Sequence, residues 1–291
     1  MLQVASRVRS RSTPNYVYFA RHGGSLYASA SIDTYGCSPH AAAVYIAVCR
    51  QSFTVRLGKA ADIVRSEQAA VTSATWRSLS GTGVQLLVAH VSPLHPTYRA
   101  LRAIPEPGLL TLDRARFDSL DETMQEAARG ALSPFDASLL YDSILELVGP
   151  ALPTVKLADA RVASWVGELR RNPHLSLQAM ARQSGLSYQH MSRILAEALG
   201  LPLRQFQLWQ KLCRVRSVYR DHDSLTAIAH AAGFSDLAHM TRSFQRNYGT
   251  PPSHFFRNPN AHVIDTALPG SRYAPLASGL VAAAYAGVGA R

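Results

Sequence analysis

Two short stretches hold the residues of this chain best suited to chemistry: HMSRILAEALG at 190–200 and HMTRSFQRNYG at 239–249. Read as helices, each turns one stripe inward and another outward by the i, i+3, i+4, i+7 rule. In the first, Met191, Ile194, Leu195 and Ala198 face inward, and Gln189, Ser192 and Arg193 stay outside. In the second, Met240, Phe244 and Tyr248 face inward, leaving Ala238, His239, Arg242 and Gln245 outside. Arg193 and Arg242 thus take matching outward positions, one turn into their helices. A long arginine there can reach O6 and N7 of guanine in a major groove. A single exposed arginine more often solvates a helix face or pairs with an acid. The duplication and the charge around it favour recognition of a base.

Stepping outward, each arginine sits in a copy of a longer unit. LSLQAMARQSGLS (175–187) and DSLTAIAHAAGFS (223–235) share Ser176/Ser224, Leu177/Leu225, Ala179/Ala227, Ala181/Ala229, Gly185/Gly233 and Ser187/Ser235. The helices that follow align after a one-residue shift. Each copy reads as a helix opening at a Ser cap, a turn with Gly, a second Ser cap and a helix ending at Gly. Small alanines at 181 and 229 let the two helices cross closely. This is a helix-turn-helix, present twice. Between the copies, Phe206, Trp209, Leu212 and Val215 make an apolar stripe along a helix over about 203–219. As core, that stripe fixes the spacing of two recognition helices in successive grooves, about 34 Å apart on B-DNA.

The charge agrees with a polyanionic partner. The 291 residues carry a formal net charge of +11, unevenly spread. Residues 151–260 hold 14 Lys+Arg against 6 Asp+Glu, whereas residues 22–150 hold 10 against 12. The basic C-terminal unit is therefore the expected site of nucleic-acid binding. No apolar run reaches the ~18 residues of a membrane span, and MLQVASRVRSRSTP lacks the apolar core of a secretory signal. Three scattered cysteines, Cys37, Cys49 and Cys213, without a CxxC pair, read as reduced thiols of a cytoplasmic protein.

The N-terminal half has a different grammar. YVYFA, SLYASAS, AVYIAVC, FTVRL and VQLLVAH are short β runs separated by Gly, Ser or Pro, which predicts a barrel or jelly roll. From Pro96 the pattern turns helical. In SPFDASLLYDSILELVG, Ser133-Pro134 opens a helix, and Leu139, Leu140, Ile144, Leu147 and Val148 fall on one side. Gly149-Pro150 and Pro153 mark a linker. The expected class is α+β: a β-rich unit over 1–150, an all-helical DNA-binding unit over 156–258, and a poorly ordered tail over 261–291. That tail, rich in Ala, Gly and Pro, predicts at most a short helix near 278–286.

The run LTAIAHAAGFSDLAHMTRSFQRNYGTPPSHFFR (225–257) resembles the DNA-binding region of the AraC/XylS family of bacterial transcription regulators. The likeness covers about 156–258 strongly; the first copy is looser, since the family usually has Phe at the position of Leu195 and Pro at that of Leu203. It implies base reading by Gln189, Ser192 and Arg193 in the first copy, and by Leu237, Ala238, His239 and Arg242 in the second. Backbone amides near Ser187 and Ser235, at helix N-termini, would hold phosphates. The N-terminal half resembles the family's cupin-like sensor domain more faintly. The resemblance further implies a homodimer joined through helices at 114–149, operator or promoter DNA and RNA polymerase as partners, and a small-molecule effector.

No cofactor, metal or catalytic residue is expected. A metal-binding cupin needs His-x-His and later Glu and His, whereas only His40 stands in the first region and Trp76 near the later one. His90 and His95 have no spacing that would join them to His40. Arg7 and Arg11 form an RxxxR arm without its Asp/Asn-x-Ser-x-x-Gly companion, and read as a solvated basic arm. Cys37 lacks the cysteine cluster of a methyl-accepting repair site. The competing functions are a nucleoid binder without sequence choice, and a cupin-type metal enzyme fused to a DNA-targeting unit.

Overall fold

The computed structural model describes residues 14–20, 23–37, 40–58, 63–73, 75–155, 160–171, 175–256 and 261–264. The Arg7/Arg11 arm and the proposed helix near 278–286 lie outside the described residues. The chain begins with β1 (Asn15–Phe19), β2 (Ser25–Ser29), β3 (Ile32–Cys37), β4 (Ala42–Ala47), β5 (Phe53–Leu57), β6 (Ile63–Glu67), β7 (Ala69–Thr72), β8 (Arg77–Gly81) and β9 (Leu86–Val91). Then come α1 (Tyr98–Arg102), β10 (Leu109–Thr111), a 3-10 turn (Arg114–Leu120), α2 (Asp121–Arg129) and α3 (Pro134–Val148). The second half holds α4 (Ala160–Arg171), α5 (Leu177–Gln183), α6 (Tyr188–Leu199), α7 (Leu203–Val218), α8 (Leu225–Ala231), α9 (Leu237–Tyr248), α10 (Pro252–Phe256) and β11 (Ala261–Ile264).

The strands make two facing sheets, one in the order β10-β7-β4-β9-β2-β1-β11 and one in the order β3-β8-β5-β6. The α+β class is as the sequence predicts, with a β sandwich before a helical half. Strand β4 lies centrally in the large sheet and all six of its residues are buried. Its Ala43, Tyr45 and Ala47 face the small sheet with Phe53, Val55, Leu57 and Leu79. Its Val44 and Ile46 face the opposite way, onto a core with Phe117, Met124, Leu140, Tyr141 and Ile144. A strand covered on both faces reads as an unbroken apolar run. This second core does not stop at the linker but continues through Trp165, Leu195, Phe206 and Trp209.

Two expectations need correcting. Leu139 does not join the packed side of α3: it is 47% exposed, beside Phe135 at 63%. Ala137, Leu140, Tyr141, Ile144, Leu145 and Val148 are buried on that face and Leu147 is half-buried, so the buried arc of α3 is turned toward Tyr141 and away from Leu139. The tail is not shapeless where it is described. Residues 261–264 pair in parallel with β1, with Tyr16 opposite His262 and Tyr18 opposite Ile264. The Tyr16 and His262 rings stack at 5.4 Å. Alanine, glycine and proline dominate the tail, yet AHVI ends in two β-branched residues, and the outer edge of β1 offers unpaired amides and carbonyls to such a strand.

Candidate nucleic-acid interface

The first helix-turn-helix is α5, a turn and α6. The Ser176 hydroxyl accepts a bond from the Ala179 amide at 3.4 Å, and the Ser187 hydroxyl accepts one from the His190 amide at 3.2 Å. Gly185 turns the chain at φ +66°, a conformation that costs a side chain energy. Met191, Leu195, Ala198 and Leu199 are buried beneath α6 and Ile194 is half-buried. Gln189 and Arg193 are exposed, and Ser192 is half-buried. His190, which sequence reasoning passed over, is exposed and its Nδ1 lies 3.3 Å from an Arg193 guanidinium nitrogen. The His190/His239 match in the repeat was the signal that could have found it.

The second copy, α8 to α9, repeats this frame. The Phe234 amide donates to the Ala229 carbonyl at 2.9 Å, just as the Leu186 amide donates to the Ala181 carbonyl at 3.0 Å. Its cap differs from expectation. Asp236, not Ser235, caps α9, accepting a bond from the His239 amide at 2.6 Å. Ser235 instead donates to the Asp236 carboxylate at 2.8 Å. The extra residue between Gly233 and the cap accounts for the one-residue shift between the copies. The His239 amide, with the Ser235 hydroxyl second, holds the Asp236 carboxyl below its ordinary range. A negative charge therefore stands at the N-terminus of α9, where the N-terminus of α6 has a neutral serine.

Met240 and Phe244 are buried, so α9 is oriented as its pattern predicts. Ala238, Arg242, Gln245 and Arg246 are exposed. Leu237 and His239 are half-buried. Leu237 packs on the second core, and the His239 ring sits edge-on to Phe234 at 5.3 Å. The outward set of α9 is thus narrower than expected and centres on Ala238, Arg242 and Gln245. Between the copies, Phe206, Trp209, Leu212 and Val215 are all buried along α7. Sixteen helical residues make a connector about 24 Å long. Its first half packs in the core shared with α6, its second half in the core of α8 and α9.

The N-terminal half grips the helices away from the Arg242 side. The Asn247 side chain, 3% exposed, accepts a bond from the His40 amide at 2.7 Å. Arg216 lies 3.9 Å over the Phe19 ring and donates to the Gly24 carbonyl at 3.1 Å. Arg102 donates to the Gly200 carbonyl at 3.0 Å, at the end of α6. Burial, with the nearby Arg246 charge second, lowers the His40 imidazole to about 4. The histidines weighed as metal ligands are separately engaged: His90 edge-on to Tyr248 at 6.4 Å, His95 edge-on to Tyr141 at 5.9 Å. Among the described residues no three His, Cys, Asp or Glu side chains gather as a metal set, and no helix is long and apolar enough to cross a membrane.

Residues 180–258 match the family described as "Helix-turn-helix domain". Over 101 residues, 33% of this chain and 83% of the relative, the sequence is 30% identical to "Probable transcription factor PqrA" of Proteus vulgaris. It is 26% identical over 102 residues to "Multiple antibiotic resistance protein MarA" of Salmonella typhimurium, 35% of this chain and 79% of that protein. The crystal structure of ToxT from Vibrio cholerae O395 aligns over 85% of this chain and 98% of that one, at 11% identity and a TM-score of 0.47.

Proposed function

The chain belongs to the AraC/XylS family of transcription regulators, and from that premise we propose how it works. Residues 156–258 bind a specific operator through two successive major grooves. Gln189, Ser192 and Arg193 read bases from α6, and Ala238 and Arg242 do so from α9, with Leu237 and His239 bordering the contact. Amides near Ser187, and less strongly those near Ser235, hold phosphates. The observation that carries this reading is the pair of matching, exposed arginines on two buried-faced helices joined by one rigid connector.

Residues 1–150 are the sensing and dimerisation unit, and the chain acts in the cytoplasm on promoters, with RNA polymerase as a partner and no chemistry of its own. The exposed Phe135 and Leu139 of α3 support a dimer contact within 114–149. Selection of binding sites from random duplexes tests the whole proposal. A two-part motif that loses one half in Arg193→Ala and the other in Arg242→Ala is expected. Protection of every sequence alike would instead mark a nucleoid-type coating protein.

A further inference from the structure

Two arginines of the N-terminal half are almost wholly buried, and the fold treats them differently. Arg114 is 3% exposed and forms an ion pair with Asp121, with Asp118 close by. Arg77 is 2% exposed, and among the described residues no carboxylate pairs with it. Its guanidinium donates to the Ser73 carbonyl at 2.9 Å and the Ala41 carbonyl at 3.4 Å, and lies 5.7 Å from the Tyr45 ring centre. Among the described residues its Nε has no hydrogen-bond partner. Arginine keeps its charge in any protein, so a buried guanidinium without a counter-charge carries a large desolvation cost.

The surroundings are polar in a patterned way. Ser25, His90, Ala43 and Thr72 stand in one register across the large sheet. Alternation puts them on the face that Tyr45, Ala70 and Val88 turn toward the small sheet. Arg77 faces them from β8, in register with Leu57. The Thr72 hydroxyl is fully buried and, like Arg77 Nε, has no hydrogen-bond partner among the described residues. Beside them the inter-sheet core holds Phe53, Val55, Leu57, Leu79, Leu86 and Val88. One end of the sandwich therefore gathers an unbalanced cation, an unsatisfied hydroxyl and an imidazole, over an apolar floor.

We propose that this end of the sandwich binds a small organic acid, with the Arg77 guanidinium as counter-charge to its carboxylate and Thr72 and His90 meeting a second polar group. A single guanidinium matches a monocarboxylate in charge and in its paired donors. Burial, and the Arg77 charge second, lower the His90 imidazole to about 3, so the ring meets the ligand neutral. The site reaches the DNA-binding helices through His90 against Tyr248 and His40 against Asn247. The inference rests on the reading of the N-terminal half as a sensor and supplies the chemical class of its effector.

The test uses the full chain and thermal unfolding with acetate, lactate and benzoate, each beside its neutral amide. A ligand at about a hundredfold its Kd favours the folded state about a hundredfold, which raises Tm by several degrees. At least one acid should do so and its amide should not, and Arg77→Met should abolish the shift. Should Arg77→Met fail to fold, Thr72→Val reads the same site: affinity for lactate is expected to fall by about fivefold to tenfold, the loss of one hydrogen bond. No shift from any of the three acids, equal shifts in the wild type and the variants, or a crystal structure of the soaked protein with water alone beside Arg77 would overturn the proposal. An acid that binds through Arg77 yet leaves operator affinity unchanged supports the site and sinks the sensor reading.

Discussion

At the scale of single residues, exposure and burial along α6 and α9 separate recognition from stability. Arg193→Ala and Arg242→Ala remove exposed side chains and should leave Tm almost unchanged. Each should weaken a cognate operator by about 1–3 kcal/mol, and random duplex much less, because a base contact specifies where a phosphate contact only positions. Fluorescence anisotropy on both duplexes checks this, and equal weakening would make the residue a phosphate clamp. Met240 is fully buried, and Met240→Ala should cost roughly 2–5 kcal/mol of stability in urea titration. Asp236→Ser is a subtler probe. It keeps a cap yet removes a charge that opposes phosphate, so non-specific affinity should rise and its salt dependence steepen. Unchanged affinity at every salt concentration would show that no phosphate approaches that helix end.

Among the elements, α3 makes the sharpest prediction. Its outer face carries the exposed Phe135 and Leu139, and a paired Phe135→Asp, Leu139→Asp chain should sediment as a monomer. Sedimentation unchanged from the wild type would place the dimer contact elsewhere. The helical half was largely legible in the sequence because its signals are local: a Ser cap, a Gly turn and a 3.6-residue stripe lie within about a dozen residues. The sheets were legible only in part. Strands β1, β2, β4, β5 and β9 announce themselves by β-branched and aromatic runs, whereas β8 (RSLSG) and β7 (AAVT) do not. Those two owe their conformation to neighbours across the sheet, a context that propensity does not contain. Of the interface, the outward arginines could be read directly. The cap exchange at Asp236 could not, because Ser235 and Asp236 are equally good caps side by side. Arg77 could not be singled out from the sequence, since what marks it is that no carboxylate among the described residues pairs with it in the fold.

For the whole molecule, the continuous core between the halves sets the terms. A fragment of about 156–260 should still bind DNA, with each phosphate contact contributing roughly −0.9 to the log–log salt slope. Gel shifts in a salt series check this, and a fragment 1–150 binding equally well would reverse the division of labour. The fragment bares Trp209, which packs beside Gly23 of the N-terminal half, so its Tm should fall well below that of the full chain. Acid should loosen the same joint. The folded His40 imidazole is lowered to about 4 from its usual 6.5. Above pH 6.5 neither state takes the proton and the contribution to stability is complete. As pH falls through that value the unfolded chain is protonated first, and stability declines toward pH 4 by on the order of 3 kcal/mol. Urea unfolding at pH 7.5 and 5 should show this decline, smaller in His40→Asn; identical pH profiles would exclude His40 as its source.

The pairing of β11 with β1 also constrains how the protein is made. The partner of Asn15 is Ala261, so a ribosome adding about 5–20 residues per second delivers it tens of seconds after β1 has emerged. Throughout that interval the nascent sandwich has an unfinished border, open to the same strand of a neighbouring chain on a crowded polysome. Slow translation or a high message load should therefore favour intertwined pairs, in which each chain completes the other's sheet.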